Sequence, residues 1–275
     1  MFATNPFANL PAMWSTGAMQ TYVVLMVLAV IAGTLIDMVH KGSAKYFFAN
    51  SRKSRGQGKA VDTASIAVKT VMVDVLASGE FCNPRRRVAH LLTMYGFILY
   101  VVTTAILVFV YPTAATPAPA LVPLLWWLGG LMVMVGGYWF WFFIRVDVAA
   151  EGSSPWRVMR ADLFILSLLS SVTLALLWAW LQGIGSGASG LVFALYLLAT
   201  TVLFGGVYWS KFAHMFFKPA AAFDKRVAEA NGTNENLPTL SRDDPAQRER
   251  HSMELLRNAP RDMGLGIKRE APRHY

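Results

Sequence analysis

The sequence predicts an all-α integral membrane protein: a bundle of five transmembrane helices, N-terminus outside and C-terminus inside. Three observations predict it. Five windows of roughly 20 residues, the length that crosses a bilayer core as a helix, are almost free of charge. Every Lys and Arg falls in alternate connections between those windows, in the C-terminal segment or, for Lys211, at the very end of the last window. Nowhere do apolar and polar residues alternate strictly over about ten residues, as a membrane strand requires. The chain of 275 residues is 55% hydrophobic and only 15% charged, where soluble domains carry about 25% charged residues.

The windows cover residues 21–39, 88–111, 121–144, 161–182 and 191–212, each rich in Leu, Val, Ile, Phe and Trp. Orientation follows from the cations, because Lys and Arg in short loops stay on the cytoplasmic side. All 25 Lys and Arg lie within 41–87, 145–160 and 211–273, whereas 1–20, 112–120 and 183–190 carry no Asp, Glu, Lys or Arg. An odd number of crossings agrees with ends on opposite sides. The first 20 residues lack the basic n-region of a cleavable signal, so the first window reads as a true span and the chain as a multi-pass protein of a bacterial inner membrane. Trp14, Trp126 and Trp127 suit an interfacial aromatic belt. The net charge of +9 reads as orientation and attraction to anionic lipid, not as nucleic-acid binding.

Outside the windows, residues 41–87 form a long cytoplasmic connection. Its stretch 51–60 (SRKSRGQGKA) is polar, basic and glycine-bearing and reads as a loop. Residues 62–77 read as an amphipathic helix along the inner membrane face, or alternatively as a contact helix for a soluble partner. Residues 224–275 have too few aliphatics for a core of their own and read as a flexible cytoplasmic tail. The single cysteine, Cys82, excludes an intrachain disulfide and an iron–sulfur cluster held by this chain alone, which takes four ligands.

Histidine is where the chemistry concentrates. His40 ends the first window, His90 lies three residues past Arg87, and His214 three residues past Lys211. The second and fifth windows run antiparallel, yet each carries a histidine just inside the cytoplasmic boundary. Two imidazoles at one level on facing helices are the axial set of a low-spin b-type haem. Each alone is more often a residue snorkelling to the interface than a ligand. Gly96, Gly205 and Gly206 would let a macrocycle approach the backbone, Tyr95, Phe97, Phe212, Phe216 and Phe217 would wall it, and Arg87 and Lys211, with Arg85 and Arg86, would pair with its propionates. The same features also suit ordinary helix packing and topology. A second haem would need ligands near Thr104 and Thr200, where none exists, so the expectation is one haem b on the cytoplasmic side. Asp37 shares a helix face with His40 and is read as a proton relay, His40 being also an alternative ligand. Tyr208, Trp209 and Asp37 are read as a quinone site, and Asp162, opening a helix, as structural.

At these residues the chain resembles a known group. SGEFCNPRRRVAHLLTMYGFILY (78–100) and YWSKFAHMFFKPAAAF (208–223) are similar to the membrane cytochrome b subunit of the quinone-interacting membrane-bound oxidoreductase complex, itself nitrate reductase gamma-like. The closing APRDMGLGIKREAPRHY (259–275) also resembles the membrane anchor of adenylylsulfate (APS) reductase. The resemblance implies electron transfer between cytoplasmic APS reductase, with its flavin and iron–sulfur subunits, and membrane quinone, with His90 and His214 as haem b ligands. The lack of an iron–sulfur domain before the helices favours the stand-alone anchor. On this reading the chain is a non-catalytic or quinone-reacting subunit. The alternatives are a haem-free structural anchor, or a cytochrome b subunit of a heterodisulfide-reductase-like complex.

Overall fold

The structure is a computed structural model that describes residues 2–10, 14–40, 43–79, 81, 83–146, 154–210, 212–234 and 237. Among the described residues every regular element is helical. Apolar runs become helices because a backbone removed from water must satisfy its own N–H and C=O groups. Four helices are long and apolar enough to cross a membrane: α1 (Thr16–His40), α4 (Pro84–Phe109), α5 (Leu121–Trp139, continued as π-helix to Ile144) and α6 (Leu163–Gly183). Between α1 and α4 come α2 (Ser43–Gln57) and α3 (Thr63–Lys69), the latter prolonged by a π-helical stretch Thr70–Leu76. After α6 come α7 (Ser189–Gly205) and α8 (His214–Ala230).

The fifth window does not form one helix over 191–212. Helix α7 has 17 residues, about 25 Å at 1.5 Å each, and stops at Gly205. Glycine costs a helix about 1 kcal/mol, and two in a row end it. The amides of Trp209 and Ser210 turn back to the Gly206 carbonyl at 3.0 and 2.9 Å, and a new helix starts at His214. Two further expectations change. Residues 51–57 are helical, part of α2, because Arg, Lys and Gln are good helix formers and the lone Gly56 only weakens the run. The tail is helical from its start at Asp224 to Ala230, while residues 238–275 lie outside the described residues, as do Cys82 and Lys211.

The chain divides into two compact units. The first comprises Met1–Lys45, Val88–Trp141 and Val158–Phe217. In it α6 packs on α5 and α7, and α7 packs on α1. Helix α4 meets α5 backbone to backbone. A Cβ placed on Gly129 would stand 2.7 Å from the Tyr100 amide nitrogen, and one on Gly136 would stand 2.6 Å from the Ala89 carbonyl oxygen. Lipid tails give helices no hydrophobic drive to associate, so small residues that admit close approach do that work. Hydroxyls supply the rest: buried Ser171 to Thr200 at 2.7 Å, and half-buried Tyr22 donating to the Leu197 carbonyl at 2.9 Å. Val24, Val27, Leu28, Ile31, Leu35 and Ile36 of α1 face outward, an apolar surface that suits lipid, not water.

Trp126 and Trp127 are core residues, not an interfacial belt: Trp126 is fully buried and its Nε1 donates to Thr104 Oγ1 at 2.9 Å. The reason is the N-terminal segment. A 3₁₀ turn, Pro6–Asn9, drives Phe7 between Trp126 and Trp178, with ring centroids 5.8 and 5.2 Å away. The Asn5 amide donates to the carbonyls of Leu107 and Tyr111 at 3.2 and 2.6 Å, and the Gln182 amide donates to those of Pro6 and Asn9. The plug therefore covers the tryptophans that a sequence alone leaves at the membrane edge.

The second unit comprises Tyr46–Arg87, Phe142–Arg157 and Lys218–Tyr275. Asp62 caps α3 by accepting from the Ala64 and Ser65 amides at 3.1 and 3.3 Å. Arg226 of α8 grips Asp74 with two nitrogens, Nη2 to Oδ1 at 2.8 Å and Nε to Oδ2. Lys59 N donates to the Asn231 carbonyl at 3.1 Å. Arg145, fully buried, donates to the Ser154 and Arg157 carbonyls at 2.7 Å each.

Two outcomes follow. Gly129→Ala overpacks a backbone contact and should cost about 1–3 kcal/mol, seen as a lower thermal midpoint in detergent, whereas Gly17→Ala, in helix α1 with nothing within 4 Å, should not lower it. The fork between Arg226 and Asp74 should show a coupling of about 1 kcal/mol in a double-mutant cycle, read as faster amide exchange in Thr63–Leu76. The hydrogen bonds it donates to the Asp74 carboxylate hold the Arg226 guanidinium above its usual range. A raised folded-state pKa stabilises fully below the unfolded value and is lost only above it, so Arg226 titration should leave this protection flat with pH across the neutral range.

Candidate functional site

The histidines sit where helices begin or end. His90 lies in the second turn of α4, counted from Pro84. Its neighbour Ala89 is pressed on Gly136 of α5, which turns His90, about 100° further round the helix, off that seam. Phe97, seven residues and two turns on, shares the stripe of His90. Phe97 meets Phe204 of α7 at 6.5 Å between centroids. Phe204 leads to Phe212 at 5.9 Å, Phe212 to Phe164 of α6 at 5.5 Å, and Phe164 to His214 at 5.6 Å, edge to face. A run of rings thus joins the stripe of His90 to His214, within one compact unit. Both histidines are half-buried.

A second group lies in the same unit. Gly33 of α1 faces the turn after α7, where an added Cβ would stand 2.9 Å from Val207 Cβ. Asp37, one turn on, is buried, and His40 meets the Tyr208 ring at 5.6 Å. The break at Gly205 and Gly206 is what lets residues 206–210 fold against α1. Trp209 touches Tyr208 at 5.7 Å and is otherwise exposed.

The structure therefore brings Asp37, His40 and Tyr208 to one place and joins the neighbourhoods of His90 and His214 through phenylalanines. Other expected roles fall elsewhere. Gly96 is filled by α5, since a Cβ there would meet Met132, Gly129 and Val133 within 2.8 Å; it serves the seam, not a macrocycle. Gly205 does face open space. Phe212 is buried, Tyr95 and Phe216 point outward. Arg87 belongs to the second unit, where its Nε donates to the Ala77 carbonyl at 2.8 Å. Asp162 is structural: its Oδ2 accepts from the Met159 amide at 2.9 Å at the start of α6. Phe164 and Phe204 were not legible beforehand, because they are ordinary apolar residues of their helices and only tertiary packing aims them at His214 and Phe97.

In the half of the bundle away from these histidines, Thr104 accepts from Trp126 and Thr200 bonds Ser171. Between them Tyr196 lies parallel to Trp178 at 5.9 Å, and Tyr100 lies 5.4 Å from Trp126. Side chains fill that level.

No group of three or more His, Cys, Asp or Glu that could hold a metal ion occurs among the described residues. Two imidazoles are a donor set that an iron with its other four ligands from a porphyrin would accept.

Comparison with known proteins gives one match. A family model described as citrate utilization protein B matches residues 74–234, more than half of the chain. The matched segment contains α4 to α8, hence both His90 and His214, and excludes α1 with Asp37 and His40. No curated protein and no solved structure matches.

Proposed function

The chain belongs to the citrate utilization protein B family, and from that membership and the geometry above we propose that it is the membrane anchor and electron-transfer subunit of an oxidoreductase complex. It links a soluble flavin and iron–sulfur enzyme, APS reductase by the sequence resemblance, to the quinone pool through one haem b on the cytoplasmic side. In this reading α1, α4, α5, α6 and the shorter α7 make five crossings of a bacterial inner membrane, N-terminus outside, with the Lys- and Arg-bearing side in the cytoplasm.

The observation that carries the reading is the pair His90 and His214, half-buried in one unit, with the run Phe97, Phe204, Phe212 and Phe164 between their neighbourhoods. A haem, when bound, supplies the one-electron chemistry. His90 and His214 would each give it one ring nitrogen. The phenylalanines keep water from that level, and burial of this kind is one of the protein's levers on potential. Tyr208 and His40 present polar ring atoms where a quinone head group would take hydrogen bonds. Asp37, the buried carboxylate one turn from His40, would pass protons toward them. APS reductase working oxidatively joins sulfite to AMP and releases two electrons, which this chain would carry and not generate.

The family's description, citrate utilization protein B, favours a second reading of the same site, in which the soluble partner is an electron-donating enzyme of citrate utilization. The membrane chemistry is unchanged; only the donor differs.

A reduced-minus-oxidised visible spectrum of the purified protein tests the core of this. A b-type band is expected in the wild type, lost in His90→Ala and in His214→Ala with the protein still monodisperse. Absence of the band from haem-replete wild-type protein would leave a haem-free tether. Identification of the enzyme that co-purifies separates APS reductase from a citrate-utilization enzyme.

A further inference from the structure

Helix α3 and its π-helical continuation carry their apolar residues on the wrong side for a helix packed into a soluble domain. One side is fixed: Thr70 is buried, and Asp74, one turn on, holds Arg226. Val68, Val71, Met72 and Leu76 lie away from that side, in the open. Val68, Val71 and Met72 are 65%, 49% and 57% exposed, with Leu76 also open. A helix that turns its carboxylate inward and four large aliphatic side chains outward needs an apolar neighbour.

We propose that this neighbour is lipid: the Val68, Val71, Met72 and Leu76 face lies at the boundary of headgroups and acyl chains in an anionic leaflet, on the cation-bearing side of the membrane. Continuity with a membrane helix sets the depth. The stretch ends at Leu76, and the next residue's carbonyl accepts from Arg87 Nε at 2.8 Å. Arg87 is the last charged residue before the uncharged run of α4, so it marks the level where charge gives way to hydrocarbon. The end of the interfacial stretch is therefore tied, within its own unit, to that level. Charge complementarity sets the lipid. Lys69, Arg85 and Lys218 are exposed, and Arg86 and Lys218 both stand over the Phe81 ring, 5.7 and 5.4 Å from its centroid. Cations flanking an exposed aliphatic face are the pattern of a helix lying in an anionic surface. The proposal rests on the membrane embedding and orientation above, and is independent of the haem and of the soluble partner.

The test uses the full chain in nanodiscs. Cys82→Ser removes the native thiol. Met72→Cys, and separately Val68→Cys, then carries an environment-sensitive NBD label, with lipids spin-labelled either near the headgroup or deep in the acyl chain. Both labels should be quenched several-fold more by the shallow spin label than by the deep one. Quenching should strengthen when phosphatidylglycerol joins phosphatidylcholine, and weaken with salt. A control label at Lys59→Cys, on an exposed polar residue, should stay unquenched and open to iodide. Labels at 68 and 72 that are open to iodide would overturn the proposal and give the face to a protein partner. Quenching indifferent to phosphatidylglycerol would overturn its anionic part. A label at Val102→Cys, mid-way along α4, separates the premise: if the deep spin label fails to quench it, the membrane reading itself falls.

Discussion

The close approach of α4 and α5 at Gly96, Gly129 and Gly136 governs the first unit. Inside a bilayer, leaving lipid brings a helix little, because lipid tails are as apolar as the side chains they would exchange for. Association then depends on dispersion contacts, which require backbones to come near, and on buried polar pairs. The seam supplies the first: each of its glycines stands where a methyl group would strike a backbone atom of the other helix. Ser171 with Thr200 supplies the second. The seam also sets the candidate site. Gly136 receives Ala89, Leu92 and Thr93, so the rotation of α4 about its axis is fixed on both sides of His90. A rotated α4 would carry His90 and Phe97 off the stripe that meets α7.

Much of this was legible in the sequence, for a physical reason. Hydrophobic run length is a one-dimensional signal set by bilayer thickness, so four membrane-length helices could be read directly, as could the histidines at their ends. What escaped depends on contacts between segments far apart in the chain. Trp126 resembles a belt residue until Phe7, more than a hundred positions earlier, is seen to cover it. The polar stretch 51–57 carries no hydrophobic periodicity, yet its residues are good helix formers and α2 runs through it. The stop at Gly205 was present in the sequence as a glycine pair, but the apolar and aromatic residues after it, Val207, Tyr208, Trp209 and Phe212, extended the run and hid the break. Run length was then a poorer guide than backbone propensity.

That break has a consequence for the proposed chemistry. Had α7 continued as one straight helix to residue 212, residues 206–210 would have remained on its surface. Ending the helix frees them to fold against α1, where Gly33 leaves room for Val207 and His40 meets Tyr208. The new helix then begins at His214, with Phe212 and Ala213 buried just before it. A single interruption thus sets both the Tyr208 contact and the position of His214.

The family segment, 74–234, divides these two sites unequally. It holds α4 to α8, and with them His90, His214 and Phe164, but not α1 with Asp37 and His40. On the proposed reading, electron carriage belongs to the shared segment, and the proton-handling groups come from the helix outside it. Quinone reduction needs both, since each electron accepted by the ring must be matched by a proton if charge is not to accumulate in a medium of low dielectric. Tyr208 is where they meet: it lies in the shared segment, six residues before His214, and packs against His40 of α1. Asp37 is costly in a membrane span and adds nothing to holding haem. On the proposed reading, its burial one turn from His40 suits it to supply protons at Tyr208.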